Sequence, residues 1–180
     1  MVNPHTHPSL SAMLVGYSFP TRDIHGHFAS LYDVDYKKSK ELTFKQLYGG
    51  VFENYKNLEF FQRIEQYVGK NWEKFKNDGF IECSISGYRF EKDKLDNMNP
   101  QKLFNYVLQN LETSMNVLIL WDILCILRGC KTKLVLYTYD SFLLDVDESE
   151  VDILEKIRQV FKKYKLNIKE IKGYDYNFTG

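Results

Sequence analysis

Tyr36-Lys37-Lys38-Ser39-Lys40-Glu41-Leu42-Thr43-Phe44-Lys45-Gln46-Leu47-Tyr48-Gly49-Gly50 is the stretch whose reading decides the rest of the chain. Wound as a helix at 3.6 residues per turn, it places Lys40, Phe44 and Tyr48 on one slowly drifting stripe. Leu42, Leu47 and Val51 fall elsewhere on the cylinder and are free to face a core. The glycine pair after Tyr48 stops the helix and lets backbones approach closely. A cation, then a flat ring, then a phenol along one face can cradle a nucleotide: the ammonium meets a phosphate and the ring stacks on a base. Taken singly, a helical lysine is usually solvated and an aromatic at helical spacing is usually core. The joint spacing is what singles these three out.

The 180 residues suffice for one or two compact units with a real core. Lys and Arg total 24 and Asp and Glu total 24, so any nucleic-acid surface must be local rather than global. Lys37, Lys38, Lys40 and Lys45 form one such local run. Cys83, Cys125 and Cys130 contain no C-x-x-C pair, which suits a reducing compartment and argues against a disulfide framework. Val117 to Leu127 is the most apolar run; Asp122 interrupts it, and it reads as a buried helix too short to span a bilayer. Pro4, His5 and His7 stand where a signal peptide would carry its charged and apolar regions, so a cytoplasmic location, away from membranes, is expected. His5-x-His7 lacks Cys or carboxylate partners and is a weak metal motif.

Along the chain, residues 1–7 read as extended or irregular. Pro8 to Gly16 reads as a short helix, with Pro8 in the first turn. Thr21 or Asp23 caps a second helix through Ile24, Phe28, Leu31 and Tyr32. After Gly50, Leu58, Phe61, Ile64, Val68, Trp72 and Phe75 recur at helical spacing over about Asn57 to Asn77, and Gly79 ends the run. Phe80 to Cys83 and Tyr88 to Phe90 read as a hairpin about Ser86-Gly87. Pro100 to Arg128 is the longest helical stretch, closed by Gly129. Within it Asn105-x3-Gln109 sets two amides one turn apart, and Glu112 and Thr113 continue that face. Lys133 to Tyr139 and Phe142 to Val146 are β-rich, Ser149-x-x-Asp152 resembles a capping box for a helix to Tyr164, and Leu166 to Ile171 and Tyr174 to Phe178 read as strands.

Four motifs occur in an order that resembles family A DNA polymerases, the group of bacterial polymerase I and many phage replicases. They are Asp23-Ile24-His25, Lys40-x3-Phe44-x3-Tyr48-Gly49, Asn105-x3-Gln109 and Tyr139-Asp140-Ser141. The resemblance runs from about Pro8 to the C-terminus. It implies that Lys40 and His25 hold the incoming triphosphate, that Phe44 packs on its base and sugar, and that Tyr48 sits by the templating base. It implies that Asn105 and Gln109 lie by the primer–template minor groove, whose acceptors are common to all base pairs. Arg89, on the hairpin, would reach a DNA phosphate. Asp140 would hold Mg2+ on a turn between two palm strands. The family's arginine four residues before the lysine is Tyr36 here, with Lys37 as a substitute; the turn's histidine and glutamate are Tyr139 and Ser141.

Two-metal phosphoryl transfer needs carboxylates around two Mg2+ ions. The family's other aspartate precedes its first helix by a few residues, where this chain has Met1, Val2, Asn3 and Pro4. The expectation is therefore an α+β chain: a helical, fingers-like region over 1–79 and a partial palm with a small antiparallel sheet over 80–180. Its implied role is the C-terminal part of a phage-type DNA polymerase, inactive alone. Its implied partners are primer–template DNA, dNTP, and either an upstream polymerase polypeptide or a second copy. Three other readings stay open: a single-subunit RNA polymerase fragment, a non-catalytic nucleic-acid-binding or assembly module, and an unrelated helical protein.

Overall fold

The chain opens with a short strand, β1 (Val2–Pro4), and passes into α1 (Thr6–Val15). The computed structural model describes residues 2–4, 6–21, 23–138, 141–164, 166 and 168–173. Next comes α2 (Ile24–Tyr32), whose N-cap is Asp23: the carboxylate accepts from the Gly26 N–H at 3.0 Å. Then α3 (Tyr36–Gly49) starts at Asp35, which accepts from the Lys38 N–H at 2.8 Å and satisfies one of the helix's free donors. Asp35→Ala is expected to cost about 1 kcal/mol of stability, read as a lower thermal midpoint of the whole chain. At Gly50 the backbone has φ of 104°, which ends α3 in a conformation open to glycine and strained for other residues.

A 3-10 turn (Glu53–Tyr55) leads to α4 (Glu59–Asp78), which buries Phe60, Phe61, Ile64, Val68 and Phe75 on one face. Phe61, Ile64, Val68 and Phe75 belong to the stripe its periodicity predicts, while Leu58 and Trp72, also expected there, are half-buried. The hairpin of β2 (Phe80–Glu82) and β3 (Arg89–Glu91) pairs antiparallel with Ile81 opposite Phe90. After it comes α5 (Pro100–Leu127), where Asn99 Oδ1 accepts from the Lys102 N–H. The remaining elements are β4 (Lys133–Thr138), β5 (Ser141–Asp145), α6 (Ile153–Lys163) and β6 (Ile168–Glu170). Tyr174 to Phe178, expected as a strand, lie outside the described residues. The chain is α+β, with one four-stranded antiparallel sheet ordered β4-β5-β1-β6 besides the hairpin.

Residues divide into two compact units, His7–Glu112 and Met1–Thr6 with Thr113–Gly180. The hairpin packs against α4 and stays with the helical unit, while β1 crosses to the other unit to pair with β5 and β6. In the helical unit Phe28, Phe60 and Phe61 pack together, Phe60 and Phe61 edge-on and Phe28 tilted against both, with ring centroids 5.1–5.6 Å apart. Tyr17 and Phe19 pack onto Phe60. In the sheet unit Phe142 on β5 meets Phe161 on α6 at 5.7 Å, among buried Ile153, Ile157 and Leu143.

Residues 2–4, expected as extended or irregular, form a strand, with β5 and β6 as its hydrogen-bonding partners. Two expectations need correction. The helix expected from Ser149 begins at Ile153: Asp147, not Ser149, makes the capping contact, and it caps a 3-10 turn (Glu148–Glu150). The apolar run of α5 is only half buried. Val117, Leu118, Trp121 and Leu124 are exposed, Trp121 at 67%. By length and composition α5 is apolar enough to cross a membrane, its best 18-residue window having a mean hydropathy of 1.4. Its first half instead buries Leu103, Phe104, Val107, Leu108 and Leu111 within the protein.

Candidate functional site

The row on α3 forms, and it is longer than three residues. Tyr36, Lys40, Phe44 and Tyr48 follow one another at four-residue steps, and the structure links them side by side. Lys40 Nζ lies 5.8 Å from the centre of the Tyr36 ring, and the Phe44 and Tyr48 rings are near parallel, 13° apart in tilt with centroids 6.2 Å apart. From Lys40 to Tyr48 the rise is about 12 Å along the axis. The adjoining face of α3 buries Ser39, Thr43, Gln46 and Leu47. Ser39 Oγ donates to the His25 carbonyl at 2.8 Å, and Gln46 Nε2 donates to the Tyr32 hydroxyl at 3.1 Å, so α3 is pinned to α2 beneath the row.

Two imidazoles bracket Phe44. His25, on α2, is 3% exposed; its ring sits 5.9 Å from Tyr36 and 6.0 Å from Phe44. Expected as a triphosphate contact, it lies packed against the row with little of its surface exposed. His7, on α1, meets Phe44 at 5.9 Å and Tyr48 at 5.5 Å, both edge-on. Its Nδ1 is hydrogen-bonded to the Tyr48 hydroxyl, and its Nε2 lies 2.7 Å from Glu112 Oε2 on α5. The directions follow from chemistry. A carboxylate only accepts, so Nε2 donates to Glu112, and in the neutral imidazole Nδ1 then accepts from the phenol. Burial, and then the Glu112 charge, push the Tyr48 pKa up to about 12, so the phenol stays protonated and able to donate at neutral pH.

Electrostatics separate the lysines. Lys38 Nζ and Lys45 Nζ both pair with Glu41, at 3.0 and 2.6 Å, and these two hold the Glu41 carboxyl down at about 2. Among the described residues Lys40 has no ion-pair partner, so its charge is available at the surface. The basic run is thus partly self-neutralised, with Lys40 left as the open cation of the row.

The other sequence candidates are spread over the helical unit. Asn105 Nδ2 donates to the Tyr48 carbonyl at 3.1 Å, so it braces the end of α3; its Oδ1 is buried with no hydrogen-bond partner among the described residues. Gln109, one turn on, is exposed. Arg89, at the start of β3, is exposed and lays its guanidinium 3.5 Å from the centre of the Phe80 ring, with Nε 3.8 Å from Glu91. Asp140 and its neighbour Tyr139 lie outside the described residues. So does His5, while His7 is taken up by Tyr48 and Glu112 rather than left for a metal. Among the described residues no group of three or more His, Cys, Asp or Glu side chains converges to hold an ion.

Sequence reasoning passed over His7 and Glu112 as partners, and Tyr36 as a member of the row. Glu112 carried a usable signal: seven residues after Asn105, it lies on the same face of α5. His7 carried none, being 105 residues away from Glu112.

With this geometry in view, the likeness to solved structures becomes informative. The chain superposes on the POL domain of Pol1 from M. smegmatis, solved in complex with DNA primer-template and dNTP, with a TM-score of 0.73 and 15% identity. The fold resembles that of a DNA polymerase domain. The match takes in 93% of this chain and 38% of the M. smegmatis chain, so these residues span about two-fifths of that neighbour. No sequence-family model matches the chain. No curated protein matches it either.

Proposed function

We propose that the α3 row binds a deoxynucleoside triphosphate, and that this chain is the nucleotide- and primer-template-handling part of a template-directed DNA polymerase of the family A, phage type. The observation that carries this reading is the row itself: an open ammonium at Lys40, then the paired Phe44 and Tyr48 rings, about 6 and about 12 Å further by the helical rise, in a fold that over 93% of its length is similar to a polymerase domain solved with DNA primer-template and dNTP. Lys40 forms charge-assisted hydrogen bonds to phosphate, worth more than neutral ones. Phe44 offers a face for the base and sugar, and Tyr48 borders the template side. Gln109 and Arg89 stand exposed for DNA contacts. Asn105 acts from beneath, through the Tyr48 carbonyl. His25 backs the row.

Nucleotidyl transfer itself belongs to the complete domain. In this reading Asp140 would hold one magnesium ion, and an upstream polymerase polypeptide would supply the remaining ligands. The test is primer extension with magnesium and four dNTPs, first by this chain and then with an added fragment carrying the preceding part of a family A polymerase domain. The expected result is no synthesis alone, and synthesis with the fragment that is lost on Asp140→Asn. Losing one shared metal ligand should cost many orders of magnitude in rate. Robust extension by the chain alone would overturn the need for a second polypeptide. Absence of both nucleotide and primer–template binding in every combination would overturn the polymerase reading.

A further inference from the structure

Glu112 belongs to no motif of the nucleotide row, yet it closes a hydrogen-bonded line that ends on it. The Tyr48 hydroxyl donates to His7 Nδ1, and His7 Nε2 donates to Glu112 at 2.7 Å. The three residues come from α3, α1 and α5, so the line ties three helices together at the far end of the row from Lys40. Side chains of His7 and Glu112 are 18% and 22% exposed, enough shielding to strengthen their attraction without isolating it from water. The Tyr48 backbone is braced separately by Asn105. The ring is therefore fixed from two sides, by its carbonyl and by its hydroxyl, and it lies near parallel to Phe44.

We infer that Glu112 and His7 are positioning residues that lock the Tyr48 ring against Phe44 and so set recognition at the base end of a bound nucleotide. This rests on the reading of the α3 row as a nucleotide site. The lock works through orientation. Glu112 accepts only, so it holds the imidazole with its proton on Nε2 and its Nδ1 lone pair toward Tyr48. Without the carboxylate the imidazole is free to rotate or change tautomer, and the phenol loses its fixed acceptor. The ring can then swing about its side-chain bonds, and the paired aromatic face breaks up. Lys40, two turns away, takes no part in this line.

That separation gives the test. Titrate the full chain calorimetrically with dATP and, separately, with inorganic tripolyphosphate, which engages the cation end but has no base. For Glu112→Ala, dATP affinity is expected to fall about threefold to tenfold, the scale of one lost aromatic arrangement. Tripolyphosphate affinity should stay within about twofold. Glu112→Gln, whose amide oxygen can still accept from Nε2, should restore most of the dATP affinity. Tyr48→Phe keeps the ring but removes the hydroxyl, and should reproduce the Glu112→Ala loss. The double variant should be no weaker than either single one, because both cut the same line. Equal dATP affinity in wild type and Glu112→Ala overturns the lock alone. So do additive losses, and so does a parallel fall in tripolyphosphate binding, the mark of general damage. Failure of the wild-type chain to bind dATP at all overturns the nucleotide reading and the lock together.

Discussion

Phe61→Ala should lower the stability of the helical unit by about 3–5 kcal/mol. Phe61 is fully buried, and its ring centroid lies 5.1 Å from Phe60 and 5.6 Å from Phe28. Truncation removes that buried ring and leaves a hole between α2 and α4 that rigid aromatic neighbours cannot close. The loss is larger than for any exposed residue. Trp121→Ala, at a side chain 67% exposed, should change stability by less than about 0.5 kcal/mol despite removing a bigger ring. Urea unfolding followed by near-ultraviolet ellipticity reads both. Equal shifts for the two variants would mean that the aromatic cluster is not the core of this unit.

Lys40→Ala should weaken dATP binding by about tenfold to a hundredfold, the scale of a hydrogen bond to a charged group. The control is built into the same helix. Lys38→Ala removes an equal charge, but one already held by Glu41 at 3.0 Å, and should cost no more than about twofold. The contrast distinguishes a placed cation from a generally basic surface, for which the two losses would match. Adding salt should weaken the wild-type interaction and narrow the difference between the variants. Isothermal titration at two ionic strengths measures all of this.

Much of the scaffold was legible because its signals are local. Leu58, Phe61, Ile64, Val68 and Phe75 repeat with helical period, and Gly79 ends that helix with φ of 77°. Gly87, with φ of 70°, lies in the connection of the β2–β3 hairpin. Asp23 and Asp35 cap where short acidic side chains should. What stayed hidden is non-local. β1 is a strand only because β5 and β6 flank it, and no propensity in Val-Asn-Pro says so. Trp121 and Leu124 read as buried from hydrophobicity alone, which specifies a helix but not which of its faces finds a neighbour. The row on α3 was visible as spacing. Its support was not: the burial of His25 against the row is not written in a tripeptide, and His7 and Glu112 meet across 105 residues.

The most direct measurement is to locate the nucleotide on the protein. Irradiate the full chain with a photoreactive azido-purine deoxynucleoside triphosphate, digest it, and map the adducts. The expected adducts fall on the peptide covering Tyr36 to Gly49, at Phe44 or Tyr48, and disappear when excess dATP is present or when Lys40 is replaced by Ala. The helical unit also carries an open groove of about 490 Å³ lined by Leu14, Val15, Gln62, Arg63, Gln66 and Lys70. Competable adducts on the α4 peptide that lines this groove, with none on α3, would contradict the assignment of the row as the nucleotide site.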